Sequence, residues 1–414
     1  MKIDHTHIEY ISAAFKSMKD KEDLLDLLNY AKTVLFDGKT VPFEMKQLNY
    51  YIVRQNQKRK YKTFSIKKKS GGVRTIHAPV KGLKIIQSCL NIILQSVFEP
   101  HMAAYGFVPG KSIVDNARIH VGANYVYNID LKDFFPSIKQ ARVWATLKQP
   151  PFSLNGERQQ LANKIAALCC TELELEAQTD GSGGKSIENV LPQGAPTSPI
   201  LTNVVCQRLD YLLSGVAKRF GLKYSRYADD ITFSSMHNIF TENTKRGKLF
   251  IDELKRIILV QGFEIKATKT RLQRKLYRQE VTGLIVNQKV NVDKRYIQQV
   301  RWWLFLWEKY GYDVAYVRFI KDYRLDKGHV KKQQPNMANV IAGKLEYLKM
   351  VKGINDPQYK RLYETFAALV NATSKPVDNK IPAKKSENSY DVFLKVLIDT
   401  KDLKNALNFL KETI

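Results

Sequence analysis

The chain has 414 residues, 44% of them hydrophobic, and sets 67 Lys and Arg against 40 Asp and Glu, a formal charge of +27. That length allows two or three domains with sizeable cores, and the charge favours a polyanionic partner, nucleic acid first. Cysteines at 89, 169, 170 and 206 make neither a disulfide framework nor a CxxC zinc pattern. No apolar run reaches the roughly 18 residues of a membrane span, and the polar start Met1-Lys2-Ile3-Asp4-His5 lacks a signal-peptide core. The expectation is a soluble cytoplasmic protein that handles nucleic acid and needs no membrane.

In chain order, Ile8, Ile11 and Phe15, then Leu24, Leu27, Leu28, Ala31 and Leu35, recur at helical spacing and predict a helix pair. Arg54 to Lys69 holds eight Lys or Arg and no acid, and Gly71-Gly72 then turns into the short strand Val73-Arg74-Thr75-Ile76. An amphipathic helix is predicted over 83–98, a strand over 124–138 and another helix over 155–170. The polar, Gly-rich stretch 172–189 reads as an exposed loop. A helix from Pro199 to about Phe220 leads into two short strands around Asp229-Asp230, a helix over 249–261 and a hairpin between Val281 and Val292. Beyond 294 the chain is helical and aromatic; Trp302, Trp303 and Trp307 at helical spacing suit a core better than a base-stacking face. Residues 371–386 read as a linker before a short amphipathic tail. Strands alternating with helices and then an all-helical segment predict an α+β core with a helical appendage.

Tyr227-Ala228-Asp229-Asp230 is the sharpest local signal. Paired acids between apolar strands are explained equally well by hairpin turn chemistry and by catalysis. Asp130, closing the strand Tyr125–Ile129, shifts the balance. A strand-end carboxylate beside a hairpin with two more would make a site for hard divalent cations, which take oxygen ligands and serve phosphoryl transfer.

Tyr-Ala-Asp-Asp with an upstream Asp130-Leu131-Lys132-Asp133-Phe134-Phe135, and Leu191-Pro192-Gln193-Gly194-Ala195-Pro196 between them, resembles the palm of a reverse transcriptase. Asn116-Ala117-Arg118-Ile119-His120 and Val281-Thr282-Gly283 resemble elements of bacterial retron reverse transcriptases, and the likeness spans about residues 60–370. The resemblance implies a right-hand polymerase fold with an antiparallel palm sheet and a helical thumb: an N-terminal helical segment at 1–50, fingers at 51–120, palm at 121–290, thumb at 291–370 and a basic tail at 371–414. It implies two Mg²⁺ ions on Asp130, Asp229 and Asp230, and dNTP substrates met by Lys69, Arg74, Asp133, Phe134, Phe135, Gln193, Gly194 and Lys269. Phe135 would be the gate against a 2′-OH, the alternative being that either Phe134 or Phe135 packs in the core, and Lys269 a proton donor to pyrophosphate or a phosphate contact. Asn116, His120, Val281, Thr282 and Gly283 would touch RNA, the last three as part of a primer-grip hairpin, with a purely structural role as the alternative for both elements.

The implied partners are a cognate non-coding RNA serving as template and primer, its branched RNA-linked DNA product (msDNA), and a separate effector protein in anti-phage defence. Two other readings stand beside this one: another bacterial reverse transcriptase of abortive-infection or intron-derived type, and a non-catalytic RNA-binding scaffold with a polymerase fold.

Overall fold

The structure, a computed structural model, describes residues 3–38, 40–53, 57–67, 71–176, 185–327 and 335–374. Lys69, the middle of the Gly-rich stretch and the tail from 375 lie outside the described residues. The described residues form two compact units, one within 1–66 and 72–290, the other within 67–71 and 291–374.

The larger unit opens with α1 (His5–Ser17) and α2 (Lys21–Leu35). Asp20 starts α2 through a capping box: its carboxylate accepts from the backbone N–H groups of Glu22 and Asp23, and Asp23 returns a bond to the cap. The predicted stripe Leu24, Leu27, Leu28 and Ala31 is buried. Next come α3 (Met45–Ile52), the short α4 (Gln57–Lys60), and strands β1 (Tyr61–Lys67) and β2 (Val73–Pro79), which pair as a two-stranded sheet. The run that precedes the Gly turn, read from its charge alone, is thus partly a strand.

Helix α5 (Lys81–Val97) buries Leu83, Ile86, Leu90, Ile93 and Leu94. It is followed by α6 (Ile113–Arg118), β3 (Tyr125–Asp130), α7 (Gln140–Leu147) and α8 (Gln159–Cys169). The strand expected over 124–138 stops at Asp130, because Asp133 takes a left-handed φ of +42° and the chain turns there.

The stretch read as a loop at 172–189 is corrected. Its described parts are β4 (Thr171–Glu176) and β5 (Lys185–Val190), paired antiparallel from Thr171↔Val190 to Glu176↔Lys185. The alternation Glu172-Leu173-Glu174-Leu175-Glu176 is a strand pattern.

Helix α9 (Ser198–Phe220) ends on Gly221 in the left-handed conformation, φ +71°. Then follow β6 (Lys223–Tyr227), β7 (Asp230–Ser235), α10 (Lys245–Val260), β8 (Arg271–Arg274) and the small pair β9 (Glu280–Val281) and β10 (Leu284–Ile285). The main sheet has order β6-β7-β3-β8, all antiparallel. One continuous apolar core joins α1, α2, α5, α8, α9 and α10 to the inner face of this sheet, so the first two helices share the core that supports the sheet.

The smaller unit contains α11 (Lys294–Tyr310), α12 (Tyr312–Lys327), α13 (Met337–Lys352) and α14 (Pro357–Ser374). Trp303 and Trp307 are buried, and the Trp303 indole N–H donates to Asp322 at 3.0 Å, tying α11 to α12. The core role of these two rings holds. No helix among the described residues is long and apolar enough to cross a membrane.

Candidate active site

Antiparallel pairing sets Asp130, the last residue of β3, directly opposite Asp230, the first residue of β7. Tyr227 pairs with Asp230, so Ala228 and Asp229 form the whole turn between β6 and β7. Ala228 has φ +57°, a left-handed backbone that primed hairpin turns normally give to Gly or Asn. The carbonyl of Asp229 accepts from the Leu131 N–H at 3.1 Å, which locks the turn to the end of β3. Two sequence signals about a hundred positions apart therefore meet at one sheet end.

The electrostatics follow from this crowding. Partial burial raises the Asp229 pKa, repulsion from Asp130 adds to the shift, and Lys269 and Arg74 temper it. Desolvation and then repulsion from Asp229 and Asp130 push Asp230 up to about 6. Asp130 is buried, and the Lys269 ammonium donates to its Oδ2 at 2.6 Å. Lys269 is raised in turn, first by that hydrogen bond.

Among the described residues, no three acidic, His or Cys side chains are drawn around one point as a ready metal site. The Asp130 carboxylate is engaged by Lys269 instead. The donor chemistry does fit a hard divalent cation. All three groups offer oxygen, burial and then neighbouring negative charge raise the pKa of Asp229 and Asp230, and a positively charged ammonium already sits on Asp130.

The other expected residues divide. Arg74, on β2, lies within electrostatic reach of Asp229. The carbonyl of Gln193 accepts from the His77 N–H at 2.8 Å, so the Gln193-Gly194 loop docks on β2. Gly194 has φ +123°, and a Cβ there would lie 2.9 Å from Ile76 Cγ2 and 3.0 Å from the His77 carbonyl; the close approach needing Gly is to β2. Asp133 is exposed, and Phe135 is half-buried, its ring centre 5.6 Å from Phe134 and 6.3 Å from Phe107.

Phe134 is corrected: it is buried against Phe263, ring centres 5.6 Å apart, and is a core residue with no face for a nucleotide.

The expected RNA contacts are also corrected in part. His120 has no exposed surface, and its ring nitrogens lie 2.7 Å from the hydroxyls of Ser234 and Ser225. It clamps β6 to β7. Asn116 is buried, its amide 3.5 Å from Thr282 Oγ1, and Val281 is fully buried. The two elements therefore pack on each other as a structural clasp, leaving Thr282 half-buried and Gly283 exposed.

Burial, with a contribution from Lys223, pushes the His120 pKa down to about 3. An unfolded His titrates near 6.5, so below that pH the unfolded chain takes up a proton that the native state refuses. The stabilisation is complete above about pH 6.5 and is lost as pH falls from there toward 3. Wild type is expected to lose about 2 kcal/mol more than His120→Gln between roughly pH 7 and 5, read by urea unfolding. Identical slopes in the two proteins would contradict the clamp.

Sequence reading passed over the support beneath the turn. The buried Arg226 side chain meets Asp210 on α9, with Nε to Oδ1 at 2.7 Å and Nη2 to Oδ2 at 2.6 Å. The available signal was Asp210 itself, which shares the buried α9 face of Cys206, Leu209 and Leu213.

An antiparallel sheet with one acid at the end of an inner strand and two more in the adjoining hairpin is the palm of a right-hand nucleic-acid polymerase. The profile of the family described as "Reverse transcriptase (RNA-dependent DNA polymerase)" matches residues 66–295, and the chain belongs to that family. It is 39% identical over 246 residues to the retron Mx65 reverse transcriptase of Myxococcus xanthus, covering 58% of this chain and 54% of the relative. It is also 39% identical over 239 residues to the retron Mx162 reverse transcriptase of the same organism, covering 55% and 47%. Identity to the retron Ec86 reverse transcriptase of Escherichia coli is 33% over 247 residues, covering 58% and 68%. The chain thus spans about half the length of the two Myxococcus relatives.

Proposed function

We propose that this chain is the RNA-directed DNA polymerase of a retron. It copies a cognate structured RNA into branched, RNA-linked single-stranded DNA, starting from the 2′-OH of an internal guanosine, in anti-phage defence beside a separate effector protein. The observation that carries the polymerase reading is the register that sets Asp130 against Asp230 at the end of the palm sheet. The likeness to retron reverse transcriptases supports the choice of template.

In this reading residues 51–120 serve as fingers, 121–290 as palm and 291–370 as thumb. Asp130, Asp229 and Asp230 would hold two magnesium ions, which would supply charge neutralisation for phosphoryl transfer. The primer hydroxyl oxygen gives up its proton to solvent and forms a bond to the α-phosphorus of a dNTP, while the bond from that phosphorus to the bridging oxygen breaks and pyrophosphate departs.

Arg74 meets the triphosphate with a planar fork suited to phosphate oxygens. Gln193 and Gly194, anchored on β2 through His77, place backbone beside the nucleotide. Lys269 orients Asp130, and its raised pKa keeps it charged, which suits phosphate contact better than proton donation.

Phe135 keeps part of its ring uncovered and gates the sugar. Phe135→Ala is expected to admit ribonucleotides at least about tenfold more readily, a loss of roughly 1.4 kcal/mol of discrimination. The ratio of kcat/KM for dGTP and GTP reads this, and an unchanged ratio removes the role.

The test of the whole reading is reconstitution with the RNA encoded beside the gene, plus dNTPs and Mg²⁺. The expected product is a DNA of defined length whose 5′ end stays joined to RNA and is released by a debranching enzyme. Linear extension of added primers alone, with no joined product, would overturn the retron assignment.

A further inference from the structure

The turn carrying the two adjacent acids rests on a buried guanidinium. Arg226 has no exposed surface, and its hydrogen bonds go to three places. Nε and Nη2 grip the carboxylate of Asp210, Nη2 also donates to Asn203 Oδ1 at 3.0 Å, and Nη1 donates to the carbonyl of Ala228 at 3.0 Å. Asn203 passes the connection on, its amide donating to the Gly106 carbonyl at 3.0 Å. Tyr224 adds its hydroxyl to Asp210 at 2.7 Å.

Segment 103–106 closes the arrangement from the other side. Arg226 N–H donates to the Ala103 carbonyl, and Tyr105 N–H donates to the Arg226 carbonyl, both at 2.8 Å. A Cβ on Gly106 would lie 2.3 Å from the Ala228 nitrogen, so this backbone presses directly against the turn.

Stability alone is a weak reason for such a device, because apolar residues of similar volume often stabilise a core as well as a buried ion pair does. Its geometry is specific. Nη1, the guanidinium nitrogen that bonds neither Asp210 nor Asn203, donates to the carbonyl of the residue before Asp229, and that residue holds a left-handed φ that Ala disfavours.

We propose that Arg226 is a positioning residue for polymerisation. Held by Asp210 and Asn203, it fixes the Ala228 peptide so that the carboxylates of Asp229 and Asp230 face the same space as Asp130. The proposal rests on the reading of those three acids as the metal-binding set.

The test compares Arg226→Lys, which keeps the charge and loses the fork, with the milder Asn203→Ala, which leaves the Arg226–Asp210 pair intact. Three quantities are read: amide hydrogen exchange over residues 227–231 in metal-free protein, Mn²⁺ affinity by electron paramagnetic resonance without nucleotide, and single-turnover dNTP incorporation per folded molecule. Arg226→Lys is expected to slow incorporation about a hundredfold and Asn203→Ala about tenfold, with RNA affinity unchanged. Both should weaken Mn²⁺ binding and speed exchange in the turn.

If Arg226→Lys fails to fold, Asn203→Ala decides. A folded Asn203→Ala protein with parental exchange, Mn²⁺ affinity and turnover overturns the proposal. So does a loss of activity that only tracks a smaller folded fraction. A wild-type chain that binds Mn²⁺ but makes no DNA, with Mn²⁺ affinity and turn exchange still altered in Asn203→Ala, would instead overturn the polymerase reading and leave standing only the positioning of the metal-binding acids.

Discussion

Replacing Asp130 by Asn is expected to cut dNTP incorporation about a thousandfold, roughly 4 kcal/mol of transition-state stabilisation, while leaving RNA binding intact. Asn matches Asp in size and still fits the buried end of β3. What disappears is one of three negative charges at the sheet end, together with the anchor of Lys269. Repulsion from Asp130 also raises the pKa of Asp229 and Asp230, so removing its charge relieves that strain. The thermal midpoint should therefore stay level or rise while activity falls. That opposition separates a chemical role from a structural one. Single-turnover incorporation at saturating dNTP, paired with filter binding of RNA, reads it. Retention of activity to within tenfold of wild type would count against a role for Asp130 in the chemistry.

Asp210→Ala is expected to produce the largest loss of stability. The Arg226 guanidinium and the Asp210 carboxylate are both fully buried. Burial opposes the Arg226 charge, and Asp210 more than offsets it, so Arg226 is held above its usual pKa. Deleting Asp210 leaves a buried cation without its counter-charge and frees the Tyr224 hydroxyl as well. Breaking such a pair from one side costs about 3–5 kcal/mol, on the order of a 10 °C fall in the unfolding midpoint. Calorimetry of wild type and variant measures it. A fall under about 2 °C would show that water or a rearranged neighbour satisfies Arg226.

The three acids at the sheet end were legible in the sequence because each sits where a strand pattern breaks: Asp130 after Tyr125–Ile129, and Asp229-Asp230 between two apolar runs. Helices α2 and α5 were legible from apolar residues recurring at helical spacing.

The rest was hidden by causes that can be named. Asp210 and Arg226 are ordinary charges until the fold pairs them across α9 and β6. Their partner bond to Ala228 involves backbone, which leaves no trace in a side-chain pattern. His120 and Val281 stand in short motifs whose resemblance suggested RNA, and only tertiary packing reveals that both are enclosed. Phe134 and Phe135 are neighbours of one type, and the turn at Asp133 sends the first into the core and leaves the second partly open. The Gly-rich centre of 172–189 drew attention from the alternating Glu and Leu of β4 beside it.

The central claim is that this sheet end performs RNA-templated DNA synthesis. Extension of a DNA primer on an RNA template by the purified chain, with dNTPs and with or without Mg²⁺, tests it most directly. Template-complementary extension is expected, requiring Mg²⁺ and abolished in Asp229→Asn/Asp230→Asn. A folded chain that binds the template–primer yet adds no nucleotide, or a double variant that extends as wild type does, would contradict it.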